Sequence, residues 1–205
     1  MRYRGGVSSS RASFGLFSSL HNWLARADLP SEADLIFVLA GRVVRKEYGF
    51  ELLQQGRANQ ILLSVGRFEI RRFSQMPLPV PLDLLTIART VPPPHRHYFV
   101  HFHDGAVEVQ HIPLGRLGTL TEVRAFAGWL VQHPDIQSVL IVSSGAHLRR
   151  IRLCCRAFLP RSWNLSFVGA PTTAEDPSAR PSLLEDLREL TKLSLYSILL
   201  KLRAT

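Results

Sequence analysis

The apolar residues fall into short, dense runs separated by turn residues. Leu35 to Ala40 in "ADLIFVLAG" is apolar throughout and ends at Gly41. A run this short, without alternation, predicts a strand covered on both faces. "RVVRKEYGFELLQQG" follows with helical spacing and stops at Gly56, a helix C-terminal signal. "QILLSVG" is a second buried strand. The chain therefore opens β-α-β, which predicts parallel strands joined by a right-handed crossover. "SVLIVSS" and "NLSFVG" give two further parallel strands, with a helix over 147–159 between them whose core stripe is Leu148, Ile151, Cys155 and Phe158. Helices are also expected over 14–26, 119–132 and 182–202, with a weaker one in "PLDLLTIART".

Residues 97–112 alternate instead, around Asp104-Gly105, a favoured two-residue hairpin turn. Tyr98, Val100, Phe102, Val107 and Val109 share the face expected to pack on the domain. His97, His101, His103, Glu108 and Gln110 share the other, expected to be wet, with His101 opposite Glu108. No recognised ligand spacing accompanies these histidines, so no metal site is expected from the sequence.

The chain has 205 residues, enough for one domain with a substantial core. Residues 1–13 read as a disordered basic tail and 14–205 as a single α/β domain, a mainly parallel sheet with an added β-hairpin. The net charge is +9; three of the 25 basic residues are lysine and 22 are arginine. The arginines are scattered rather than clustered, which favours a solvated surface over a nucleic-acid footprint. Cys154 and Cys155 are adjacent, a poor arrangement for a bridge or a shared metal. No apolar stretch is long enough to span a bilayer, and no secretory signal pattern is visible, so a cytoplasmic location is expected. Phosphate-loop, dinucleotide and nucleophile-elbow motifs are missing.

The candidate chemistry gathers beyond the C-terminal ends of the parallel strands, where open α/β sheets bind ligands. Arg45 lies one turn into the first helix on its buried stripe, spaced to Gly49 and Leu52, with Gly49 expected to leave room beneath it. Ser64 ends the second strand. Ser143 and Ser144 end the third, and Gly145 lets the backbone approach a ligand. The helix that follows offers unpaired N–H groups to an anion. His147 and Arg150, three apart, project from one side of its first turn. Arg149, Arg152 and Arg156 lie further round and are expected to be solvated. Thr119 and Glu122 have capping-box spacing, which by itself explains Glu122; the same carboxylate could also serve the crevice as a base or arginine partner.

Four stretches, in this order, resemble the YdcF-like family, which includes the SanA and ElyC envelope proteins. They are "DLIFVLAG", "RKEYGFELLQQGRANQILLSVG", "TLTE" and "VSSGAHLRRI", within residues 34–159. The last is similar to the family's V-T-S-x-x-H-x-x-R-A motif. Ala40 and Val65 stand where the family commonly has glycine, and Glu122 where it has asparagine. Glu69 fits the place of the family's S-E-A motif poorly. The resemblance implies a Rossmann-like three-layer sandwich and an envelope-related role. It also implies S-adenosylmethionine binding in one branch of the family. Together with the residues, two functions remain open. One is an enzyme acting on a small anionic or phosphorylated ligand, with His147 and Glu122 in catalysis and Arg45, Ser64, Thr119, Ser143, Ser144 and Arg150 in binding. The other is a non-catalytic S-adenosylmethionine or nucleotide-binding protein.

Overall fold

The computed structural model describes residues 19–113, 118–171 and 183–204. The expected basic tail, the start of the first helix and residue 182 at the start of the closing helix lie outside the described residues. Residues 19–24 are helical. Then follow β1 (Leu35–Val38), α1 (Val43–Gln54), β2 (Ile61–Gly66), α2 (Ile70–Phe73), α3 (Leu84–Arg89), β3 (His97–His103) and β4 (Ala106–His111). The chain continues with α4 (Gly118–Val131), β5 (Ser138–Ser144), a 3-10 turn at Gly145–His147, α5 (Leu148–Phe158), β6 (Asn164–Ala170) and α6 (Leu183–Ala204).

The six strands form one sheet in the order β4-β3-β2-β1-β5-β6. β2, β1, β5 and β6 are parallel, and β3 and β4 add the antiparallel hairpin at one edge. Asp104 and Gly105 both have positive φ, as a tight turn between right-twisted strands requires. Alternate strand residues feed two cores. Ile36, Val38, Leu63 and Val142 pack with Leu52 of α1, Phe73 of α2 and Leu84 of α3. Leu35, Phe37, Phe99 and Ile141 pack with Phe126 of α4, Ile151 of α5 and Tyr196 of α6. The fold is thus a Rossmann-like α/β sandwich of three layers. The chain winds outward from β1 in both directions, so the strand order reverses between β1 and β5, leaving a crevice at their C-terminal ends.

Three expectations change. Gly49 does not make room for Arg45: a Cβ there would lie 2.5 Å from Val38 Cγ2, so this glycine lets α1 approach the sheet. The histidine face of the hairpin is wet only in part: His97 and His101 of β3 are buried, with Trp129 of α4 against His101, while Glu108 and Gln110 of β4 are exposed. Arg149 and Arg152 are not simply solvated. Arg149 stacks on Trp23, and Arg152 pairs with Asp28 at 2.9 Å while lying over Phe167, so both fasten the segment before β1. Arg156 is exposed.

Candidate functional site

The turn after β1 organises the site. Its peptide groups have no strand partner at the sheet edge, and side chains from three elements satisfy them. Ala40 N–H donates to Glu122 Oε1 of α4 at 2.7 Å. Gly41 N–H donates to Glu69 Oε1, from the loop after β2, also at 2.7 Å. Arg45 of α1 folds back and donates to the Ala40 carbonyl. Gly41 is required here: its φ is 142°, and a Cβ would meet the Arg45 guanidinium at 2.4 Å.

Arg45 also spans the crevice, its Nε donating to Ser144 Oγ of β5 at 2.9 Å. It is 7% exposed, and among the described residues no carboxylate forms an ion pair with it. Burial draws its pKa down to about 10, with the more distant Glu122 and Glu69 opposing, so it is still a cation at neutral pH. Lys46, the next residue, is completely buried and paired with Glu69. Burial pushes the ammonium down and the carboxyl up, each against the pull of the other.

Glu122 does not close a capping box. α4 begins at Gly118, so Thr119 lies inside the helix, and the Glu122 carboxylate turns to the sheet edge. Burial raises its pKa against the opposing bonds from Ala40 N–H and the Ser64 hydroxyl. Ser64 in turn meets His97 Nε2 at 2.6 Å. Burial pulls His97 down to about 4, so it is neutral at pH 7. Glu122, Ser64 and His97 therefore sit together as a carboxyl whose burial disfavours its charged form, a hydroxyl and a neutral imidazole. A cleft of about 590 Å³ opens onto Glu122 and His97. Ala40, Gly66, His97, Thr119 and Glu122 form its wall, and Arg67 and Arg96 stand at its rim.

On the other side of the crevice, Arg150 donates to His147 Nδ1 at 2.6 Å, leaving the ring proton on Nε2. Glu189 of α6 lies 3.2 Å from Arg150 and 3.3 Å from His147, and accepts from Lys192 at 2.9 Å. Burial alone would raise Glu189, but His147, Lys192 and Arg150 outweigh it and hold it at about 2. Burial lowers His147, with Glu189 opposing. Ser143 is buried, with no partner for its hydroxyl among the described residues.

The structure thus brings the sequence candidates to one rim. Arg45, Ser144, Glu122 and Ser64 are linked through the β1 turn, and His147 and Arg150 flank it behind Gly145. Only Thr119 and Glu122 of these line the open cleft. Compared with family models, curated proteins and solved structures, the chain matches none.

Lys46, Glu69, His97 and Glu189 were missed as site residues. His97 was assigned to a wet hairpin face, although its place at the start of β3 puts it beside Ser64 at the end of β2 once that pair is antiparallel. Glu189 carries no such signal: among the described residues of α6, Asp186, Glu189 and Tyr196 are buried, while Leu184, Leu187, Leu195, Ile198 and Leu202 are exposed. The usual amphipathic reading is inverted there.

Proposed function

We propose that the crevice between β1 and β5 and the adjoining cleft bind a small anionic or phosphorylated ligand, and that the chain is a divergent YdcF-like enzyme acting on it. The carrying observation is Arg45, a buried cation at the strand switch point with no carboxylate in ion-pair contact among the described residues. Such a charge is stabilised by an anion that shares its low-dielectric surroundings. Arg67 and Arg96 at the cleft mouth add positive potential along the entry. In this reading Arg45, Thr119 and Ser144 hold the anion, with Ser64 and Ser143 completing the binding set. Glu122 supplies or takes a proton, backed by Ser64 and His97. His147, neutral and oriented by Arg150, is the second acid–base group. Arg150 itself is already balanced by Glu189, so its contribution is to position His147 rather than to supply free charge.

No helix among the described residues is long and apolar enough to cross a membrane. The two cysteines are buried and unbridged, and burial pushes the Cys154 thiol up to about 12. This supports work in a reducing, cytoplasmic setting, and the family resemblance supports an envelope-related role there.

Thermal-shift measurements with inorganic phosphate, nucleotides, a phosphosugar and S-adenosylmethionine test the reading. At least one should raise Tm of the wild type, and the rise should vanish in Arg45→Met and in the His147→Ala, Arg150→Ala pair. Circular dichroism checks that each variant folds. Turnover of the stabilising compound supports the enzyme; stabilisation by S-adenosylmethionine or a nucleotide without turnover supports the non-catalytic alternative. Equal stabilisation of wild type and Arg45→Met removes the crevice as the site.

A further inference from the structure

A second cluster lies at the opposite edge of the sheet. β3 runs antiparallel to β2, so His97 lies beside Gly66 at the crevice edge, and the His101–His103 end lies where the parallel strands begin. His101 and His103 are two apart on one face of β3, with rings stacked at 4.5 Å. Glu108 is the cross-strand partner of His101 on β4. One ligand atom from each of His101, His103 and Glu108 lies within 4.8 Å of the others.

The environment of His101 sets it apart from an ordinary strand histidine. It is 4% exposed, wedged edge-on to Trp129 at 5.0 Å. Its Nε2 donates to the Gln60 side-chain oxygen at 2.8 Å, which leaves the lone pair on Nδ1. That Nδ1 is buried and has no hydrogen-bond partner among the described residues. A buried acceptor left without a donor is costly, and native structures seldom leave one without a reason. The arrangement has the form of a metal-ligating histidine whose other nitrogen is held by an oxygen acceptor, fixing tautomer and ring orientation.

We propose that His101 Nδ1, His103 and Glu108 form a binding site for a zinc-class transition-metal dication. Two imidazoles and one carboxylate are a zinc donor set, whereas calcium and magnesium prefer oxygen alone. Tetrahedral zinc with bonds of about 2.1 Å needs donor atoms about 3.4 Å apart. His103 Nε2 and Glu108 Oε1 already lie 3.4 Å apart. His101 is the fixed member, held by Gln60 and Trp129. His103 is half-buried and Glu108 exposed, so their side chains can turn to complete the set. The fourth position is left to water or a small ligand.

The test is calorimetric titration of the chelator-treated, dialysed full-length protein with zinc chloride. One zinc should bind per chain. His103→Ala and Glu108→Gln should each weaken binding by about tenfold or more, with circular dichroism melts in chelator unchanged from wild type. Gln60→Ala should weaken it by about 10–100-fold through loss of the tautomer-fixing acceptor. Cobalt should give the visible absorption of a tetrahedral centre in wild type and lose it in both ligand variants. Absence of saturable zinc binding, binding at wild-type strength in either ligand variant, or equal competition by magnesium would overturn the proposal.

Discussion

The two edges of the sheet solve one problem in opposite ways. Each buries polar side chains at one end of the strands. At the crevice edge the solution is charge against charge across separate elements, as in Lys46 with Glu69 and Arg150 with Glu189. At the hairpin edge it is ring against ring: His101 meets His103 and Trp129, and Trp129 stacks on His133 at 3.7 Å. Buried charges fail badly when one partner is lost, because the other remains desolvated. Neutral rings lose only packing and a hydrogen bond. The crevice edge should therefore be the fragile one.

The sharpest way to break that contrast is Glu189→Ala. It strands Arg150 and removes the acceptor that balances Lys192, and should cost about 3–5 kcal/mol in denaturant unfolding. A loss under about 1 kcal/mol would mean that the crevice edge tolerates unpaired charge as well as a surface does.

Acid sharpens the comparison next. His97 has its pKa pulled from 6.5 to about 4, so below pH 6.5 the unfolded chain takes up a proton that the folded chain refuses. Stability is therefore full above pH 6.5 and falls as pH drops toward 4, by up to about 3 kcal/mol for this residue. Glu189, held at about 2, adds a further loss as pH falls below its ordinary carboxylate range. His97→Asn should lessen the slope of the first part of the profile without abolishing it, because burial pulls His101 down to about 4 as well. A profile through pH 6.5–4 equally steep in that variant would show that His97 is not the group responsible.

The smallest effect belongs to the hairpin surface. Glu108→Gln without metal should change stability by no more than about 0.5 kcal/mol, because its contact with His103 at 3.4 Å is exposed. A larger loss would show that the hairpin edge also depends on charge.

The parallel strands were readable because each is a solid apolar run, as expected of a strand covered on both faces. Arg45 was readable from its spacing to Leu52, and His147 with Arg150 from their separation of three. Helix spacing cannot say which way a carboxylate turns, so it does not choose between the two roles of Glu122. The partners were less legible. Glu69 sits in an irregular stretch without periodicity. Lys46 is a charged neighbour of Arg45, and neither residue type advertises burial. His97 looked exposed because a hairpin pattern does not reveal that the domain will bury it.

The seclusion of Lys46 has a practical consequence. The chain has three lysines. Lys192 and Lys201 are accessible at the surface, while Lys46 is sealed beneath the β1 turn. Amine-acylating reagents should modify the first two rapidly and reach the third only when that edge opens, so the mass of a single peptide becomes a clock for its breathing.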